Sequence, residues 1–158
     1  VFEKSTVFDA AIQDRSLQTW RPPGELWKAY REGDHTYEVW RGNLTDLTVQ
    51  QMIKRIQILV SFFIDGGTPI ELKEPEWSLK RWTVFFLYRK ESCKTFISPY
   101  IFIGYSTVYQ YFFVEANRIA PVAKRIDLTL PSPEMRFTSL PCRSRISQFI
   151  ILPSFQGK

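Results

Sequence analysis

The sequence predicts an α+β domain of the layered α/β kind, and three observations carry that reading. The stretch "DLTVQQMIKRIQILVSFFIDGG" (46–67) repeats apolar residues at helical spacing. "WTVFFLY" (82–88), "YIFIGYSTVYQYFF" (100–113) and "RISQFIIL" (145–152) are runs of β-branched and aromatic residues at strand length. With 158 residues, 44% of them hydrophobic, the chain is long enough for one ordinary domain with a core.

The elements follow in order. Pro22-Pro23-Gly24 marks a turn, and "ELWKAY" after it reads as one or two helical turns with Leu26, Trp27 and Tyr30 on one side. "HTYEVWRGNL" (35–44) reads as a strand, Tyr37, Val39 and Arg41 alternating with Glu38 and Trp40. Asp46 is a helix N-cap, Val49, Met52, Ile53, Ile56, Val60, Phe63 and Ile64 form the apolar stripe, and Gly66-Gly67 ends the helix. Ile58, Leu59 and Phe62 widen that stripe, so the second half of the helix is expected to be buried nearly all round. The unbroken apolar run 82–88 predicts a strand covered on both faces. A hairpin joins it to 100–113, in which Gly104 predicts a bulge or bend. Residues 114–143 hold four prolines and scattered Arg and Lys, and read as a long surface loop. Strand 145–152 and the Pro153 turn follow, leaving a fold that reads as lacking its last part.

Lys plus Arg is 21 against 16 Asp plus Glu, a net charge of +5 that suits an anionic ligand or nucleic acid and, being diffuse with no basic block, favours neither. Cys93, Cys142 and His35 allow neither a disulfide framework nor a Cys/His metal set, and point to a reducing compartment. The apolar run 58–64 is too short to span a bilayer. A Ser-His-Asp enzyme would rest on His35 alone, which sits beside Gly33-Asp34 in a turn. Glu74 and Glu76 flank Pro75 and read as a solvated loop.

Two local features point further. Tyr109 and Tyr111 project to one face of a strand with Gln110 on the other, and Trp77 lies in an earlier loop. Such aromatics either wall a groove for a lysine stem or pack ordinarily in a sheet, and the residues alone favour packing. The closing "SQFIILPSFQGK" runs a strand through a turn into Gln-Gly-Lys, as an anion-binding loop at a helix N-terminus begins.

Taken together, "IQILVSFFIDGGTPIELKEPEW", "RWTVFFLY", "FIGYSTVYQYFF" and "RISQFIILPSFQGK" resemble successive blocks of the catalytic subunit of fungal type B histone acetyltransferases. "VFEKS" and "HTYEVWRGNL" fit the segment before that family's acetyltransferase fold. The resemblance implies a GNAT fold, a mixed, bent sheet with flanking helices and splayed central strands. It divides the chain into a connecting segment, 1–43, and the first half of the acetyltransferase domain, 44–158. It implies acetyl-CoA as co-substrate and no metal.

Under the same resemblance, Phe149, Ile150 and Ile151 would hold the pantetheine arm, and Gln156, Gly157 and Lys158 would open the pyrophosphate loop. Trp77, Tyr109, Gln110 and Tyr111 would face the histone tail, which reverses the preference for plain packing. The general-base Glu is expected beyond Lys158, so no catalytic residue is assigned, and residues 1–158 alone are expected to be inactive. The implied substrate is the free tail of the fourth core histone. The implied partner is a WD-repeat histone-binding subunit, and the implied location is nucleus and cytoplasm. Neither a membrane nor direct nucleic-acid binding is expected. The alternative is a non-catalytic segment that binds histone or the WD-repeat partner, docking through 114–143. A basic tail calls for an acidic groove, yet the chain is net positive: either the acidic wall lies in parts of the domain outside these residues, or local Asp and Glu suffice.

Overall fold

The computed structural model describes residues 19–91, 98–112 and 141–157. Its frame is a five-stranded meander, β1 (Glu25–Glu32), β2 (His35–Asn43), β3 (Trp82–Lys90), β4 (Tyr100–Phe112) and β5 (Cys142–Ile151). Sheet order equals chain order, and each neighbouring pair is antiparallel. Helices α1 (Leu47–Ile56), α2 (Ile58–Phe63) and α3 (Glu76–Leu79) lie in the β2–β3 connection. The domain is α+β, as the sequence predicts. The 114–143 loop falls largely outside the described residues, and Cys142 and Arg143 belong to β5.

One sheet face carries the core. Val84, Phe86 and Tyr88 alternate along β3 as fully or almost fully buried residues, and Val49, Ile53, Ile56 and Val60 of the helices join the same cluster. The other β3 face is only half-buried, so the expectation of a strand covered on both sides needs correction. Phe85 on that face meets Trp27 at 5.1 Å between ring centroids and is itself partly exposed.

Residues 25–30 are strand, not helix. The Gly33-Asp34 turn brings β1 back along β2, and cross-strand pairing overrides the weak helical spacing. Tyr30 stacks on its partner Tyr37 at 5.2 Å, Glu25 pairs with Arg41, and a bulge between Leu26 and Lys28 turns Trp27 toward Phe85.

The helix at 46–67 is also shorter than expected. Asp46 caps α1 as the sequence predicts, its Oδ1 accepting from the Thr48 N–H at 2.8 Å. At Gln57 the ladder tightens, because the Val60 N–H donates to the Gln57 carbonyl at 3.1 Å, a three-residue step. The phase shift leaves Val60 as the buried residue of α2. Ile58 is 57% exposed and Phe62 72%, which overturns the all-round burial.

Gly104 marks a bulge, as the sequence predicts. Leu87 pairs with Gly104 but Tyr88 pairs with Phe102, leaving Ile103 as the extra residue. A second irregularity follows in β5, where Thr107 pairs with Gln148 and Val108 with Ile146, leaving Ser147 over.

Two buried polar groups have opposite fates. The Glu38 carboxylate is buried on the core face but accepts from Lys90 Nζ at 2.9 Å and from Trp40 Nε1 at 3.0 Å. Tyr88 is enclosed by Trp20, Tyr100 and Phe102 at centroid distances of 5.7, 6.0 and 5.5 Å. Its hydroxyl makes no hydrogen bond, and burial pushes the phenol pKa up. Tyr88→Phe removes an unsatisfied buried group while keeping the ring contacts. It is expected to stabilise the fold by about 1 kcal/mol in thermal or urea unfolding. A loss of stability of that size would mean that the hydroxyl is bonded in solution.

Candidate functional site

Two cavities meet β5 at adjacent stretches of the strand. The first, of about 380 Å³, is lined by Phe149, Ile150 and Ile151, by Phe155, Gln156 and Gly157 of the following turn, and by Phe63 at the end of α2. The second, of about 440 Å³, is lined by Ser147 and Gln148 of β5, Trp77 and Ser78 of α3, Tyr109, Trp82, and the segment 68–71 with Glu74.

The β5 cavity is built by a strand end and a tight turn. Ile150 is anchored in the core at 3% exposure, which turns Phe149 outward at 64%. Leu152 continues the strand edge by donating its N–H to the Ile103 carbonyl at 2.9 Å. Pro153 then starts a 3₁₀ turn over Pro153–Phe155, in which the Phe155 N–H donates to the Leu152 carbonyl at 2.9 Å. Gln156 folds back so that its Nε2 donates to the Ile151 carbonyl at 2.7 Å, closing the turn on the strand. Gly157 takes a positive φ of 72°. The structure thus brings together Phe149, Ile150, Ile151, Gln156 and Gly157, while Lys158 lies outside the described residues.

Among the described strands β5 pairs with β4 alone, so its other edge is unpaired among the described residues. An open strand edge beside aromatic and aliphatic side chains fits an extended amide-bearing arm, since the edge supplies donors and acceptors in register. Phe63 is the member that sequence reading assigned to a helical core stripe. Its role at the cavity comes from the phase shift at Gln57, which exposes the end of α2.

The second cavity has an aromatic wall and an acidic rim. α3 is one short helix held by its buried Ser78 and Leu79, which leaves Trp77 61% exposed. Glu76 and Lys80 form an exposed pair at 2.7 Å, and the Lys80 ammonium holds the Glu76 carboxyl below its ordinary pKa. Tyr109 pairs with Trp82 across the β3–β4 ladder, the rings 4.7 Å apart, while the Arg81 guanidinium lies 4.6 Å from the Tyr109 ring. Arg81 also donates from Nε to the Gln110 carbonyl at 2.8 Å, fixing the strand end.

Trp77 and Tyr109 therefore line one cavity. Gln110 and Tyr111 do not line it. They follow on the exposed end of β4, where Gln110 is engaged through its backbone and Tyr111 is 36% exposed. Sequence reading placed Glu74 in a solvated loop and did not single out Glu71. Both line the cavity and give its rim negative charge. The signal was the set of three Glu residues, Glu71, Glu74 and Glu76, between the helix stop and Trp77; that the first two line the cavity is legible only once the segment is folded back against β5. His35 stands exposed at the β1–β2 turn, away from both cavities. Among the described residues no cluster of His, Cys, Asp and Glu could hold a metal, and no helix is long and apolar enough to cross a membrane.

Comparison with known proteins gives this geometry a setting. Residues 1–65 match the family described as the histone acetyl transferase HAT1 N-terminus. The histone acetyltransferase type B catalytic subunit of Aspergillus oryzae is 40% identical over 94% of this chain and 29% of its own length. That of Neurospora crassa is 40% identical over 99% of this chain and 31% of its own, and that of Candida albicans 30% identical over 98% and 34%. The chain thus spans about a third of the length of these relatives. By sequence, over the part that it spans, the chain is similar to the catalytic subunits of type B histone acetyltransferases.

Proposed function

We propose that this chain carries the peptide-facing groove and the acyl-carrier-facing strand of a type B histone acetyltransferase with a GNAT fold. The observation that supports this most is the order of residues on β5. Ser147 and Gln148 line the aromatic and acidic cavity, and Phe149 to Ile151 line the apolar one, so two ligands would meet along a single strand.

Acetyl-CoA, as the co-substrate, brings the acetyl group as a thioester. The open edge of β5 and the walls made by Phe63, Phe149 and Phe155 would hold its extended arm and keep water from it, with Gly157 at the pyrophosphate end. Trp77 and Tyr109 would grip a lysine stem, and Glu71 and Glu74 would attract the neighbouring cationic side chains of a basic tail. A lysine ε-ammonium has a free pKa of about 10.4, so a base must take a proton before the amine can attack the thioester. We place that base outside residues 1–158. The free tail of the fourth core histone is the proposed substrate, a WD-repeat histone-binding subunit the partner, and nucleus and cytoplasm the location.

Transfer of labelled acetyl from acetyl-CoA to a histone-tail peptide tests this reading. Residues 1–158 are expected to bind both ligands weakly and to give no transfer above the uncatalysed background. Robust transfer would locate the base within this chain, with Glu71 and Glu74 the first to substitute. Failure to bind either ligand would overturn the assignment of the two cavities.

A further inference from the structure

Gln148 sits where the two cavities adjoin on β5, and it is 5% exposed. Three hydrogen bonds hold it. Its backbone N–H donates to Thr107 Oγ1 at 3.1 Å, its Oε1 accepts from the Tyr105 hydroxyl at 3.1 Å, and its Nε2 donates to the Thr68 carbonyl at 2.9 Å. The first anchor comes from a fully buried threonine and the second from a tyrosine at 2% exposure, so neither yields easily. Burial pushes the Tyr105 phenol up to about 12, which keeps it a donor through the neutral range. With the amide oxygen committed to Tyr105, the amide nitrogen is aimed at Thr68.

That last bond spans from the sheet to the segment that follows α2. Thr68 opens the run that carries Glu71 and Glu74 and leads into Trp77, three members of the second cavity. The run between Gly67 and Pro75 has turns but no regular element, so its placement depends on such anchors and on the buried Ile70. Gln148 also follows the leftover residue of the β4–β5 irregularity, Ser147, which itself lines that cavity.

We propose that Gln148 is a positioning residue, which sets the peptide-facing wall against the strand that faces the acyl carrier by holding Thr68. This rests on the acetyltransferase reading for the identity of the ligands, but the mechanical link stands on the geometry alone. It makes a specific split. Loss of the link loosens the wall bearing Glu71, Glu74 and Trp77, while Phe149 to Ile151 keep their places through the β4 ladder and the buried Ile150.

Gln148→Met preserves length and removes both side-chain hydrogen bonds. In the 158-residue chain it is expected to speed amide hydrogen exchange in residues 65–75 about tenfold and weaken binding of a histone-tail peptide about tenfold. Acetyl-CoA binding is expected to stay within about twofold. Tyr105→Phe leaves the Thr68 bond and should change peptide affinity by less than about threefold. Should Gln148→Met fail to fold, Gln148→Asn keeps the amide but shortens its reach, and the same split applies to it. A folded variant with unchanged exchange at 65–75 overturns the proposal, and so does equal loss of both ligands, which would mark a merely structural residue. If the unsubstituted chain binds neither peptide nor acetyl-CoA, the acetyltransferase reading falls, and the exchange comparison alone decides whether Gln148 holds the wall.

Discussion

Gly104→Val should destabilise the domain by about 3 kcal/mol or more, measured as a fall in the urea midpoint at constant slope. A Cβ built at Gly104 would lie 2.2 Å from the Ile150 carbonyl oxygen and 3.0 Å from the Ile151 Cα. Both are backbone atoms of β5, so no side-chain rotation relieves the clash. Either the β4–β5 ladder parts at its Gly104–Ile151 end or β4 leaves the β3 register. The requirement is for close approach rather than for unusual torsion, because Gly104 is not among the positive-φ glycines. The damage should extend to function, since Ile150 and Ile151 line the apolar cavity. Gly104→Ala should do the same to a smaller degree. A valine variant within about 0.5 kcal/mol of the parent would show that the strands are not packed this closely in solution.

Trp77→Ala should have the reverse profile, a large loss of ligand binding with little loss of stability. Trp77 is 61% exposed, and α3 is held by its buried neighbours Ser78 and Leu79. Truncation therefore removes little buried area, and unfolding free energy should change by less than about 0.5 kcal/mol. As an aromatic anchor at the centre of a contact, however, such a residue typically carries about 2 kcal/mol or more, so affinity for a histone-tail peptide should fall about thirtyfold or further. Phe62→Ala is the control. It removes an equally prominent aromatic, 72% exposed, that does not line the cavity, and peptide affinity should not move. Equal effects from the two variants, or none from Trp77→Ala, would remove this cavity as the peptide site. Tyr109 makes a poorer probe, because its ring is wedged against Trp82 and Arg81 and its loss would disturb the sheet.

The sequence by itself determined the class of the fold and four of its strands. Strand-length runs rich in aromatic and β-branched residues mark 35–44, 82–88, 100–113 and 145–152, and Gly104 inside such a run points to a bulge or bend. The blocks of resemblance brought the family into view, and with it Trp77, Tyr109 and the residues at the end of β5. Local pattern was insufficient where the competing forces are long-range. Residues 25–30 became strand because a hairpin partner was available, and the helix at 46–67 broke at Gln57 where a tightened turn changed the phase of the buried row.

Only the tertiary structure decided which residues share a cavity. Glu71, Glu74 and Gln148 stand up to 77 positions apart in the chain, yet all three line one cavity, because the segment after α2 folds back against β5 and Gln148 bonds Thr68. Phe63 reached the apolar cavity beside β5 through a helix phase that no periodicity announces. Gln110 and Tyr111 share a sequence motif with Tyr109 but lie outside its cavity, since a strand passes its side chains to alternate faces and β4 runs on past the edge of the cavity. A sequence encodes its local periods directly. The meeting of distant side chains follows from how the sheet closes over its core, which is set by the sum of many contacts and by no one of them.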